Sequence, residues 1–197
     1  MAEGPKPIAA ATAVAIGDLF AGRGHERVDD GLIRRWFENL NWGQDQIDAE
    51  KADMLAHARL GYTTEVSVDW SRAAGLFAAV IGRIRGEFPR AGDQTMLDAH
   101  SSHSYQTGTN LYFVYDYEIK CSPREEIEVY HKPLNAIIVE EALRAGGSMV
   151  HHHGIGKYRT PWAADEHGSA YWLLTTLKQA FDPQGVMNAG TILPLRS

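Results

Sequence analysis

Cysteine is nearly missing from this sequence, with Cys121 alone among 197 residues. One thiol can form no internal disulfide and can build no cysteine-rich zinc module. A surplus of positive charge is missing as well. Lysine and arginine number 19 against 25 acidic residues, for a net charge of -6, so nothing is spare to neutralise a phosphate backbone and nucleic acid is not the expected partner. No run reaches the roughly 20 apolar residues needed to cross a bilayer, and no membrane span is expected. The apolar stretch Ile8–Ile16 is preceded by Lys6, whose charge Glu3 offsets. It therefore makes a poor secretory signal, and the chain reads as cytoplasmic. Repeats and low-complexity tracts are absent. So is any glycine-rich strand-to-helix turn that would cradle nucleotide phosphates, since Gly154-Ile155-Gly156-Lys157 fits neither the P-loop nor the dinucleotide fingerprint.

Histidine is what the chain has in excess. There are nine, and His151, His152 and His153 are consecutive. Residues 1–57 are rich in alanine, glycine and charge and carry one helical stripe, Ile33, Trp36, Phe37 and Leu40. They read as a peripheral, partly helical N-terminal segment, and residues 58–197 as the main domain. There Tyr62, Thr64, Val66, Val68 and Trp70 alternate with Thr63, Glu65, Ser67 and Asp69, the period of a half-buried strand. A helix capped by Ser71 follows, with Leu76, Val80, Ile81 and Ile84 on its apolar face and Pro89 at its end.

Two further strands, Met96 to Tyr105 and Thr109 to Lys120, form a hairpin. In the second, Leu111, Phe113, Tyr115 and Tyr117 share one face while Tyr112, Val114 and Asp116 share the other. Ser122, Pro123 and Glu125 give a capping box for a helix that bends at Pro133 and stops at Gly146-Gly147. Ser148 to His152 supplies a fourth strand, and a last helix runs from Pro161 to Phe181. The expected fold class is α+β, a ferredoxin-like antiparallel sheet with helices on one face and the other face free for a ligand or a second domain.

Three imidazoles beside a flexible Gly-x-Gly and two cations, Lys157 and Arg159, suit proton transfer near neutral pH with an anion held close by. In an extended segment His151 and His153 share a face and His152 points the other way. A zinc reading takes His151 and His153 with His100 or His103 from the hairpin, but no carboxylate or cysteine stands at a recognised spacing, so no metal is assigned. A polar turn with no ligand is the third reading of the same residues.

Gly146-Gly147-Ser148-Met149-Val150-His151-His152-His153-Gly154-Ile155-Gly156-Lys157 closely resembles the triple-histidine motif of the alkyldihydroxyacetonephosphate synthases, FAD-linked oxidases of the vanillyl-alcohol-oxidase type. Tyr105 to Phe113 and Phe181 to Gly190 match as well. The resemblance covers about residues 58–193 and implies the C-terminal, substrate-side domain of that family. It implies Tyr112 and His151, His152 and His153 as catalytic residues, and His153, Asn188, Ala189 and Gly190 as cofactor contacts. His100, His103, Lys157 and Arg159 are the candidate substrate contacts.

The implied cofactor is FAD, held by a separate FAD-binding domain or subunit, because the family's large FAD-binding domain has no counterpart here. A small-molecule substrate and a second copy of the chain are the remaining partners considered. The synthases place a substrate-binding arginine ahead of the first strand, where Lys51, Ala52 and Asp53 stand instead. The function expected is therefore that of an FAD-dependent oxidoreductase acting on a small 2-hydroxy acid or related alcohol. A synthase-type transferase module, a non-catalytic binding module and a histidine-based metal protein are the alternatives.

Overall fold

The alternating segment folds into an 11-residue strand, β1 (Arg59–Asp69), in the computed structural model of the chain, which describes residues 4–26 and 28–193. Two compact units are present, Met1–Ala49 and Glu50–Ser197. The first holds α1 (Lys6–Phe20) and α2 (Asp30–Glu38), and α3 (Gln44–His57) runs across the division. Asp29 caps α2 by accepting the Gly31 amide at 2.8 Å. The apolar stripe does form α2 and the residues after it, yet Ile33, Trp36, Phe37 and Leu40 stay exposed.

The second unit carries the sheet. After β1 come α4 (Trp70–Glu87), β2 (Gln94–His100) and β3 (Gly108–Glu118), in the sheet order β1-β3-β2 with both pairings antiparallel. One face buries Val66, Val68, Leu111, Phe113, Tyr115 and Tyr117 against Leu76, Val80 and Ile84 of α4. Leu134, Ile137 and Ile138 of α5 (Lys132–Arg144) complete that layer. Each such side chain contributes roughly 1.5–3 kcal/mol through removal from water. The α+β arrangement with helices on one face is thus present.

Several local expectations are corrected. α4 begins at Trp70, so Ser71 lies inside the first turn and makes no cap. The bend assigned to Pro133 is taken up just before it, by a π-turn over Ile127–His131 in which Lys132 N–H bonds to Ile127 O. Proline offers no amide to the α-helical ladder, and a wider turn on its N-terminal side absorbs the mismatch. The last helix, expected over residues 161–181, is broken into α7 (Ala163–His167) and α8 (Tyr171–Phe181) with a short 3-10 turn between them, and a separate short helix α6 (Gly156–Arg159) precedes it across another 3-10 turn. The break before α8 falls at Gly168, whose φ is +50°, a conformation that glycine adopts at little cost.

The fourth strand shrinks to a single bridge between Ser148 and Ser67 on β1. The reason lies in where the amides go. Met149 N–H donates to the Glu166 carboxylate, and His151 and His152 N–H both donate to the Glu65 carboxylate. These donors are lost to a ladder with β1, and the chain turns away from the sheet. Met149 is itself fully buried with Val139 and Ala163, which anchors the turn from below.

Candidate functional site

The register of the sheet lines up three polar side chains. Glu65 pairs with Tyr112, and Tyr112 pairs with His100, so one residue from each strand forms a row on the face opposite the apolar core. The Tyr112 and His100 rings stack with centroids 4.9 Å apart. Over this row lies the histidine turn. His153 meets Tyr112 edge-on at 5.1 Å, and His152 lies parallel to it at 6.3 Å. His103 approaches from the β2–β3 loop, 5.0 Å from His151 and 5.1 Å from His152. Tyr112 and His100, His103, His151, His152 and His153 are therefore gathered at one place.

β2 ends at His100 because the loop's next amides are taken. The Asn110 side chain accepts Ser102 N–H at 3.0 Å and His103 N–H at 2.9 Å, and Trp70 Nε1 holds Tyr105 O at 2.8 Å. Tyr105 then sets its hydroxyl 2.7 Å from His151 Nε2.

The histidine turn is not extended, which corrects the expectation that His152 points away from its neighbours. His151 and His152 bring their Nδ1 atoms within 3.1 Å of each other. The cause is Glu65, a residue that the sequence had placed only on the polar face of a strand. Its carboxylate is wholly buried. Oε2 accepts the amides of His151 and His152 at 3.0 and 3.1 Å, and Oε1 accepts Asn110 Nδ2 at 3.1 Å. The Nδ1 atoms of His151 and His152 lie 2.8 and 2.9 Å from Oε1. Burial alone pushes a carboxyl up, but the amides of His152 and His151 and the Asn110 side chain outweigh it, and Glu65 is held below its ordinary value. For His153, burial acts on a cationic form and lowers its value.

The two cations lie elsewhere. Arg159 is buried, donating to Gly154 O at 3.0 Å and to the main-chain oxygen of Glu65 at 3.3 Å, so it braces the histidine turn from behind. Lys157 lines a separate apolar depression with Tyr158, Pro161 and Trp162. Asn188 and Gly190 have φ of +46° and +83°, and Gly190 O accepts the Thr160 hydroxyl, which ties this C-terminal loop to the segment after α6.

Two sets of side chains bring ligand atoms within 4.8 Å of one another, His103 with His151 and His152, and Glu65 with His152 and His153. In the first, His151 Nδ1 faces Glu65 and its Nε2 faces Tyr105, and in the second the Glu65 oxygens are already filled by hydrogen bonds. Beside the turn, an open cleft of about 370 Å³ is lined by Ser67, Tyr105, Thr107, Gly147, Ser148 and His151. The arrangement offers a phenol and several imidazoles to whatever occupies this face, and both residue types hold or move protons.

Residues 45–192 match the family described as FAD linked oxidases, C-terminal domain. The chain belongs to the FAD-linked oxidases. It is 56% identical over 197 residues to the FAD-linked oxidoreductase YgcU of Escherichia coli K12, covering 99% of this chain and 41% of that protein. It is 25% identical over 144 residues to the alkyldihydroxyacetonephosphate synthase of Caenorhabditis elegans, covering 72% of this chain and 24% of the synthase. A solved alkyldihydroxyacetonephosphate synthase shares the fold with a TM-score of 0.55 at 16% identity, over 98% of this chain and 29% of that one. The chain thus spans well under half the length of these relatives. Among the described residues, no helix is long and apolar enough to cross a membrane.

The FAD-linked oxidase family implies FAD, and the donor set of this domain fits one end of it. An aromatic ring, flat imidazoles and the hydroxyl of Tyr112 suit the flavin ring and a substrate against it. The matched family is that of the C-terminal domain, and Gly154-Ile155-Gly156-Lys157 fits no phosphate-binding fingerprint.

Proposed function

We propose that this chain is the substrate-side module of an FAD-dependent oxidoreductase that acts on a small 2-hydroxy acid or a related alcohol, completed by an FAD-binding domain or subunit. The observation that carries this reading is the row Glu65–Tyr112–His100 under the histidine turn, on the sheet face that carries no helix. The bound flavin supplies a two-electron acceptor. The residues of this chain then have two tasks. Tyr112 holds the substrate oxygen through its hydroxyl, and His152, whose ring is half-exposed beside Tyr112, takes the hydroxyl proton as the carbon gives up its hydride. The alcohol leaves as a carbonyl compound and the proton passes through the imidazoles to solvent.

His100 and His103 stand at the edge of this space and are the proposed substrate contacts, while the C-terminal loop with Asn188, Ala189 and Gly190, together with His153, is proposed to meet the cofactor. Arg159 and Lys157 do not present their charge to the row, so a substrate carboxylate finds imidazoles rather than a guanidinium. The test is co-expression with an FAD-binding partner polypeptide, isolation of the yellow complex, and anaerobic bleaching of the flavin by a panel of 2-hydroxy acids and alcohols. Bleaching by one class identifies the substrate. A stable complex bleached by none of them, or no complex at all, rejects the reading.

A further inference from the structure

We propose that Glu65 is the positioning residue of the histidine turn, fixing His152 in the Nδ1–H tautomer so that its Nε2 is the basic nitrogen offered to the ligand space. The argument is one of proton inventory. A carboxylate has only lone pairs to offer, and Nδ1 of His152 is hydrogen-bonded to Glu65 Oε1 at 2.9 Å. An unprotonated nitrogen there would set lone pair against lone pair, so the His152 Nδ1 carries a hydrogen.

The other ring nitrogens then differ. Nε2 of His151 is hydrogen-bonded to the Tyr105 hydroxyl at 2.7 Å, which removes it from further use. Nε2 of His152 makes no hydrogen bond among the described residues, while its ring lies over Tyr112 and is partly open to solvent. Of the two, only His152 is available as an acceptor.

The carboxylate itself cannot wander. Main-chain N–H groups of His151 and His152 hold Oε2, the Asn110 amide holds Oε1, and the side chain is wholly buried. An acid held ionised in this way orients an imidazole and stabilises it when it gains a proton, as a carboxylate does behind a catalytic histidine in other enzymes. The tautomer assignment stands on this chain's geometry alone, and its consequence for catalysis rests on the oxidoreductase reading.

Nitrogen-15 histidine spectra of the wild-type chain near pH 7.5 read the tautomers directly. The expected result is a protonated Nδ1 and an unprotonated Nε2 for His152, whereas solvent-exposed imidazoles such as His25 favour the opposite form. Protonated Nε2 at His152 overturns the proposal. Glu65→Gln is expected to return His152 to the Nε2–H form, and an unchanged spectrum in the folded variant also overturns it. Should that variant not fold, the wild-type spectrum decides alone. In the flavin complex, Glu65→Gln is expected to lower the flavin-reduction rate by about 10²–10⁴-fold with little change in substrate affinity. The expected tautomer in a chain whose flavin complex oxidises nothing would reject the oxidoreductase reading and leave the positioning role intact.

Discussion

The Tyr115 hydroxyl lies 3.1 Å from Nδ1 of His131 in the interior, on the side of the sheet away from the histidine turn. The same hydroxyl sits 3.0 Å from Thr64 Oγ1, which in turn reaches Asn135. Tyr62 and Tyr158 close over the His131 ring, and Arg159 is the nearby charge. Burial first and then Arg159 push His131 down to about 4.

This makes stability depend on pH in a defined window. In the folded protein His131 is neutral above about 4, while in the unfolded chain it takes a proton below about 6.5. Between these values the unfolded state binds more protons, so its contribution is complete above pH 6.5 and is lost as pH falls toward 4. The difference is of order 3 kcal/mol. Urea unfolding at several pH values between 4.5 and 7.5 is expected to show stability rising with pH, and His131→Asn is expected to flatten that slope.

Tyr112→Phe removes one hydroxyl from a partly exposed position whose ring contacts are otherwise kept. The fold should be untouched, with circular dichroism and melting temperature within error of wild type. In the flavin complex the rate of substrate oxidation should fall by about 10²–10⁴-fold, the usual worth of a positioned proton-handling group. A rate within threefold of wild type would remove Tyr112 from the chemistry.

Glu166 binds the base of the histidine turn, accepting the Ser148 hydroxyl at 2.5 Å and Met149 N–H at 2.8 Å. Glu166→Ala leaves Met149 N–H without its partner, while the Ser148 hydroxyl keeps the Val150 carbonyl at 2.7 Å. The expected cost is about 1.5–3 kcal/mol in chemical denaturation, from the loss of a main-chain hydrogen bond to a charged acceptor. Hydrogen exchange should quicken at residues 148–153 before it does in β3.

Gly147 passes so close to β1 that a Cβ there would collide with the Ser67 carbonyl oxygen. Gly147→Ala therefore forces apart the two-residue bridge between Ser67 and Ser148, whose amides bond reciprocally at 3.0 and 2.8 Å. A loss of about 2–4 kcal/mol is expected, since the obstacle is backbone and cannot swing away. The same substitution at Gly75, where nothing lies within 4 Å, should be neutral or slightly stabilising.

How much of this was legible differs from element to element. β1, α4 and β3 follow directly from period-two and helical spacing of apolar residues, because each buries one continuous face. The triple histidine and Tyr112 stood out through residue type. Glu65 did not, since an acidic residue on the polar face of an alternating strand normally meets water. Its role depends on register and on amides 86 and 87 residues away, and neither leaves a mark on local sequence. The fourth strand was overread for the same reason: Ser148–His152 looks extended, but its amides bond to carboxylates that spacing does not reveal. The N-terminal stripe, conversely, is helical at Ile33, Trp36 and Phe37 although no buried face accounts for it, and Leu40 lies past the helix end.

Glu65 is held by main-chain hydrogen atoms as well as by imidazoles, and main-chain atoms survive any change of side chain. The histidines at 151, 152 and 153 can accordingly be exchanged one at a time while the buried anion keeps its seat. The support of the turn and the side chains it displays are separable here, so the imidazoles above the sheet can be exchanged without the domain being rebuilt beneath them.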